Sequence, residues 1–198
     1  MVLWDVARIG MYTKTLTIIG LIALGVLGRL VPHLPNATPL TAITVSASRY
    51  VGRSSALVIP IAVMLASDMV LGFYNWKILL SVYGSFIVIG LVSIAGRKYR
   101  GIFPTGVLVI SSSLLFFLIT NFAVWFFSPW YEKSIWGLLY CYQLGIPFLR
   151  NMMLGDVAYT ACVIQILGLL PAETGSSSQL RRYVVTGRTN LTTSSSLT

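Results

Sequence analysis

Two aspartates set inside apolar runs are the residues of this chain whose chemistry most needs a reason. Asp68 lies in VIPIAVMLASDMVLGFY and Asp156 in NMMLGDVAYTACVIQILGLL. An aspartate at the centre of a membrane-spanning helix costs about 2.5 to 3.5 kcal/mol on insertion scales, so such residues face a bundle interior or a wet cavity and mark a functional pathway. Asp68 could pair with Arg29, Lys77 or Arg150, or accept hydrogen bonds from a substrate. Tyr159 and Thr160 follow Asp156 at i+3 and i+4 and share its helical face. Asn121, beside Thr120, is another polar side chain within an apolar run. Interhelical hydrogen bonds of this kind are worth only about 0.6 kcal/mol, so Thr160 and Asn121 read more readily as packing than as ligand contacts.

A third group precedes them. The stretch Arg29-Leu-Val-Pro-His-Leu-Pro-Asn36 has two prolines that fix the backbone and could aim His33, the only histidine, and Asn36 at one point. An ordinary interfacial turn would account for the same residues. After Asp68 the chain reads Gly-Phe-Tyr74-Asn75-Trp-Lys77, polar and aromatic at the end of a span. The candidate substrate-binding residues are therefore Arg29, His33 and Asn36 on one loop, Asp68, Tyr74, Asn75 and Lys77 around the next, Asn121, and Arg150, Asn151, Asp156 and Tyr159 on the last segment. A hydrolase assembled from Ser67, His33 and Asp68 is a poor fit, because sequence neighbours on a helix point about 100° apart. No nucleophile signature, phosphate loop, zinc-like His and Cys set or paired glutamate accompanies them. The expectation is a protein that is not an enzyme, with no cofactor and no metal.

The elements that position these residues are helices in lipid. With 56% hydrophobic and 10% charged residues in 198, and a mean hydropathy of +0.83, there is too little polar surface to cover a water-soluble globule. The net charge of +9 would suggest nucleic acid in a soluble protein, but the cations sit at the ends of apolar segments, so nucleic acid is not expected as a partner. Cys141 and Cys162 lie in apolar surroundings without metal-like spacing and read as small core residues.

Six apolar segments follow from the punctuation. The first covers residues 15–31 and stops at Pro32; the second covers 40–50, with Thr38 as N-cap and Pro39 at the first helical position. The second is short and carries Thr41, Thr44, Ser46 and Ser48, so it is shielded by other helices or does not span fully. Segment three covers 56–73, about 27 Å at 1.5 Å per residue, capped by Ser54 or Ser55. Segments four and five cover 76–95 and 105–127, divided by Gly96, Arg97, Lys98, Arg100 and Gly101. The aromatic stretch 128–150 reads as an interfacial loop or partly helical cap, after which Asn151 caps segment six, 152–170. Residues 1–171 thus form an all-α integral membrane domain of about six transmembrane helices. Residues 172–198 hold 12 Ser or Thr in 27 positions and read as a disordered tail.

Six crossings put both termini on one side, and charge chooses it. Arg8, Lys14, Arg49, Arg53, Arg97, Lys98, Arg100, Arg181, Arg182 and Arg188 fall on the side of the termini; Arg29, Lys77, Lys133 and Arg150 fall opposite. Ten against four places both termini in the cytoplasm, the chain in the cytoplasmic (inner) membrane and the candidate binding residues near the outer face.

The first span with its Pro-rich loop, TPLTAITVSASRYVG, a short basic turn and VIPIAVMLASDMVLGFY together resemble the substrate-binding S-components of energy-coupling-factor (ECF) vitamin transporters. PHLPNATPLTA, SDMVLGF, TNFAVW and LLYCYQLGIPFLRNMMLGDVAYTA more closely resemble an uncharacterised family of small bacterial membrane proteins within or beside that superfamily. The resemblance covers about residues 15–170. It implies a six-helix bundle binding a vitamin or vitamin precursor near the outer face for uptake, with an ATPase-driven energising module as partner. The first helix departs from the pattern: Gly20, Ala23, Gly25 and Gly28 do not reproduce the alanines four apart with which many S-components dock, so uptake without that module stays open. A scaffold or assembly factor whose aspartates are purely structural is the alternative.

Overall fold

The computed structural model describes residues 2–32, 34–99 and 101–169, with side chains from residue 12 to 168 of that set. His33 and the expected tail 172–198 lie outside the described residues. The chain forms α1 (Val2–Leu30), α2 (Leu40–Ser46) continuing into a π-helical turn (Ala47–Val51), α3 (Ser55–Leu71), α4 (Trp76–Gly96), α5 (Ile102–Phe127) and α6 (Ile135–Leu169). Among the described residues there is no strand.

Local chemistry explains most of the boundaries. α1 meets no proline before Pro32, so it starts well ahead of the expected residue 15. α2 begins behind Pro39, whose carbonyl accepts from Ile43 N at 2.9 Å; Pro39 is the N-cap residue, and Thr38 does not cap as the sequence suggested. α3 ends where Gly72 adopts φ 90°, a left-handed conformation that glycine takes without steric penalty, and Gly72 N closes on the Asp68 carbonyl at 2.9 Å. Asn75 starts α4 by accepting from Lys77 N at 3.0 Å.

The last helix corrects the sequence reading. Residues 135–150 are not a loop or separate cap but the first half of a 35-residue helix, and Asn151 caps nothing because it lies in mid-helix. The cause is packing against α5. Tyr142 donates to the Leu118 carbonyl at 2.8 Å and Cys141 Sγ contacts the Asn121 carbonyl at 3.4 Å, while Gly145 leaves room for Asn121 and Phe117. Trp136, Tyr140 and Tyr142 of the stretch read as an interfacial loop or partly helical cap thus belong to the α6 side of an antiparallel α5–α6 pair, while Trp130 and Tyr131 lie in the connection before it.

α1 packs on α3 in parallel, since Gly25 fits against Val63 and Arg29 reaches Ser67. α3, α4, α5 and α6 then follow as neighbours, and α2 runs down the middle with contacts to every other helix. All seven α2 residues are buried. At 12 residues including the π-turn, α2 covers about 18 Å, little more than half a bilayer core. Gly28 against the Pro39 ring and Gly155 against Ala37 hold its start deep in the bundle; a Cβ at Gly28 would come within 2.6 Å of Pro39. Ile43, Val63, Met64, Phe86 and Ile89 form the core around it.

Among the described residues, four helices are long and apolar enough to cross a membrane: Tyr12–Leu30 within α1, α4, α5 and Ile135–Gly168 within α6. α3 is a shorter apolar helix of 17 residues. The outward surface is apolar too, with Leu16, Leu27, Met69, Val70, Leu80 and Leu154 exposed, a pattern that suits lipid better than water. Below, the end of the bundle at Leu30, Leu71 and Trp76 is called apical, and the end at Val51, Gly96 and Ile102 basal.

Candidate functional site

The apical cluster is built from α1, α3 and α4. Arg29 comes in the last turn of α1 and lies half-buried against α3. Its Nη2 meets Asp68 Oδ1 at 2.7 Å, and Nη1 donates to Ser67 Oγ at 2.6 Å. Tyr83, from the second turn of α4, donates its phenol to Asp68 Oδ2 at 2.8 Å. Both carboxylate oxygens are therefore engaged, and Asp68 is 1% exposed. Of the three cations available to Asp68 in the sequence, the fold selects Arg29. Among the described residues this is the one salt bridge.

Beside the pair is a cavity of about 170 Å³ lined by Arg29, Asn36, Thr38, Met64, Tyr74 and Phe86, with Phe116 of α5 and Met152 of α6 closing it. Asn36 holds φ 65°, a left-handed conformation that asparagine tolerates better than most residues. Burial raises the Tyr74 phenol above its ordinary value, the negative charge of Asp68 adds to the effect and Arg29 opposes it. Tyr74 therefore stays a hydrogen-bond donor at neutral pH. Arg29, Asn36, Asp68 and Tyr74 are thus brought together. Tyr83 was missed by sequence reasoning, although a phenol inside an apolar helix calls for a partner and could have been read that way.

The other candidates lie elsewhere. Asn75 is occupied with capping, and Lys77 Nζ lies over the rings of Trp76 and Phe127 at 5.8 and 5.4 Å. Asn121 donates to the Phe117 carbonyl of its own helix at 2.9 Å and packs against Gly145. Arg150 is exposed on α6 and Asn151 half-buried; neither marks the start of a span.

Asp156 is also displaced from expectation. It lies 21 positions into α6, not near an apical end, because the helix begins at Ile135. It is 1% exposed, and Ser113 Oγ of α5 donates to its Oδ2 at 2.7 Å. Thr41 of α2 lies near the same carboxyl, although its hydroxyl makes no hydrogen bond among the described residues. Asp156 therefore joins α2, α5 and α6 at mid-bundle, separate from the Arg29–Asp68 pair. One turn above it Met152 borders the apical cavity, and one turn below Thr160 borders a second, basal cavity. Tyr159 is half-buried on the same stretch.

The basal cavity is the larger, about 880 Å³, between the basal halves of α1, α5 and α6 and the π-turn after α2. The sequence reading, drawn to the aspartates, gave no sign of it. Lys14 and Arg49 bring positive charge to it, and Thr105 and Gln165 add polar groups. Arg49 Nη1 donates to Thr105 Oγ1 at 2.5 Å and Nη2 to the Tyr99 carbonyl at 3.2 Å.

Fold and site together define an all-helical protein with several apolar helices of spanning length, a buried ion pair and a mid-bundle carboxyl, compatible with a membrane protein of several crossings. The chain belongs to DUF6580, a family of unknown function, whose model matches residues 10–178. No curated protein and no solved structure matches it.

Proposed function

We propose that this is a membrane transport protein of the S-component type, which binds a small vitamin-like or vitamin-precursor solute at its apical end for uptake. The observation that supports this most is the buried Arg29–Asp68–Tyr83 cluster bordering a cavity that Asn36 and Tyr74 also line. Charged groups within spanning segments typically accompany a solute or ion pathway. Pockets for drug-sized ligands are about 300 to 1,000 Å³, so a cavity of about 170 Å³ must widen to admit a vitamin. The segment between α1 and α2 supplies Asn36 and Thr38 to the rim and is the part whose displacement would widen it.

On this reading all six helices are embedded, the apical end faces outward and the termini are cytoplasmic, in the inner membrane. The positions of Lys14, Arg49, Arg53, Arg97 and Lys98 towards the basal end favour that orientation. Docking to an energising module would use the exposed α1 stripe of Leu16, Gly20, Ala23 and Leu27, since Gly25 and Gly28 are occupied by Val63 and Pro39.

A second reading, the scaffold, is favoured by one specific observation. Arg29, Ser67, Asp68 and Tyr83 satisfy one another without any ligand. Mass spectrometry of small molecules copurifying with the detergent-solubilised protein, followed by titration of the identified compound into wild type and Asp68→Asn, separates the two. Uptake predicts saturable binding weakened by the substitution while the variant stays monodisperse. A copurifying solute that binds both proteins equally would remove Asp68 from the site.

A further inference from the structure

We propose that the basal cavity is a binding site for an anionic phospholipid, with the phosphate at Lys14 and Arg49 and acyl chain against the α5–α6 wall. This stands independently of the transport reading, which concerns the opposite end of the bundle. Three features carry it.

The first is shape. α1 packs on α3, whereas α6 packs on α5 and α2, so the basal halves of α1 and α6 flank the space and do not close it. At about 880 Å³ it accommodates a headgroup and the upper part of an acyl chain. The second is charge: among the described residues, Lys14 and Arg49 line the cavity and no carboxylate does. Lys14 is exposed and makes no ion pair among the described residues. A phosphate diester supplies a charge and acceptor oxygens of the kind that lysine and arginine bind. The third is the wall. Val109, Val157 and Ile164 give it an apolar face suited to an acyl chain, and Thr160, 5% exposed, contributes a hydroxyl that has no hydrogen-bond partner among the described residues. A buried donor without a partner is costly, and an ester or phosphate oxygen would satisfy it. Charge beside an apolar wall selects a lipid over free phosphate, since inorganic phosphate leaves the wall uncovered.

The test is native mass spectrometry of the full chain, delipidated in neutral detergent. It is offered phosphatidylglycerol or phosphatidylcholine of identical acyl chains, with inorganic phosphate as a separate arm. A basic residue at an anionic membrane surface is worth about fivefold in binding, so phosphatidylglycerol is expected to be retained at least about fivefold better than phosphatidylcholine. Lys14→Gln, on an exposed position, should remove about fivefold of the phosphatidylglycerol retention and lower that of phosphatidylcholine, whose choline offsets the phosphate charge, by less. Ile164→Trp, which fills the wall, should reduce retention of phosphatidylglycerol while the protein stays monodisperse. Equal retention of the two lipids, or phosphatidylglycerol retention unmoved by both substitutions, overturns the proposal in favour of ordinary annular lipid. Displacement of phosphatidylglycerol by millimolar inorganic phosphate overturns it in favour of a free-anion site. No retention of either lipid means that the site is closed or filled by the chain itself, and the proposal fails.

Discussion

Breaking the Arg29–Asp68 pair from one side and then from both sides tells a structural ion pair from a working one. Asp68→Leu leaves the Arg29 guanidinium, among the described residues, with only Ser67 and the Met64 carbonyl as acceptors, the latter at 3.4 Å. Arg29→Met leaves the Asp68 carboxylate, among the described residues, with only the Tyr83 phenol. Removing one partner of a buried pair costs about 3 to 5 kcal/mol, because the other charge remains uncompensated. At about 2 to 4 °C per kcal/mol for a chain of this length, each single variant should melt about 6 to 20 °C below wild type. Replacing both charges by apolar residues of similar volume is commonly neutral or stabilising by about 1 to 4 kcal/mol. The Tyr83 hydroxyl would then lack its acceptor, a penalty of about 1 to 3 kcal/mol that Tyr83→Phe removes. The triple variant Arg29→Met, Asp68→Leu, Tyr83→Phe is therefore expected to regain the wild-type melting temperature in detergent, measured by tryptophan fluorescence. If it melts no higher than the worse single variant, the cluster is not the isolated, mutually satisfied unit described above. If it recovers stability and also binds the identified solute normally, the cluster takes no part in binding.

Tyr74 should titrate above the ordinary tyrosine value of 10, visible as the phenolate absorbance lost in Tyr74→Phe. Because its folded value is raised, its contribution to stability is complete below about pH 10 and declines as the pH rises through the folded value; titration at or below 10 would show that the phenol of this 45% exposed side chain is not desolvated beside Asp68. Gly90→Ala brings a Cβ within 2.9 Å of the Ala56 carbonyl and should cost about 1 to 3 kcal/mol, while Gly84→Ala, with open space around it, serves as the control that stays near wild type. Reporter fusions after Gly101 and after Thr198 are expected to report cytoplasm and one within residues 130–134 the opposite side; a reversed pair would turn the apical end inward.

Helix existence was legible because apolar runs ended at prolines, glycines and cations: α3 and α4 lie within a few residues of where Ser55, Gly72, Asn75 and Gly96 imply. The shielding of α2 was legible as well, since Thr41, Thr44, Ser46 and Ser48 could not face lipid. α6 was misdivided because aromatic residues at 130–142 carry the same signature whether they lie at an interface or, like Tyr142, between two helices. That error moved Asp156 towards an end when it belongs in the middle. Arg29 as the partner of Asp68 could be named only as one of three cations, because sequence does not give the parallel pairing of α1 and α3 that sets Arg29 beside Ser67. The basal cavity left no mark in the sequence, since it arises from how α1, α5, α6 and the π-turn are set around one another.

The half-length α2 has a consequence for how such a chain is made. α1 and α3 run the same way, so the twelve residues between Leu40 and Val51 must carry the backbone back across. A segment this short and hydroxyl-rich is a weak candidate for leaving a translocation channel into lipid by itself. The side chains that surround it include those of α5 and α6, synthesised up to 120 residues later. Until they arrive, Thr41 has neither Asp156 nor its surroundings to face. Assembly is thereby tied to completion of the last helix: a chain truncated before residue 156 would expose an unfinished polar centre to membrane quality control. Damage late in the sequence should be felt as failure of one of its earliest elements.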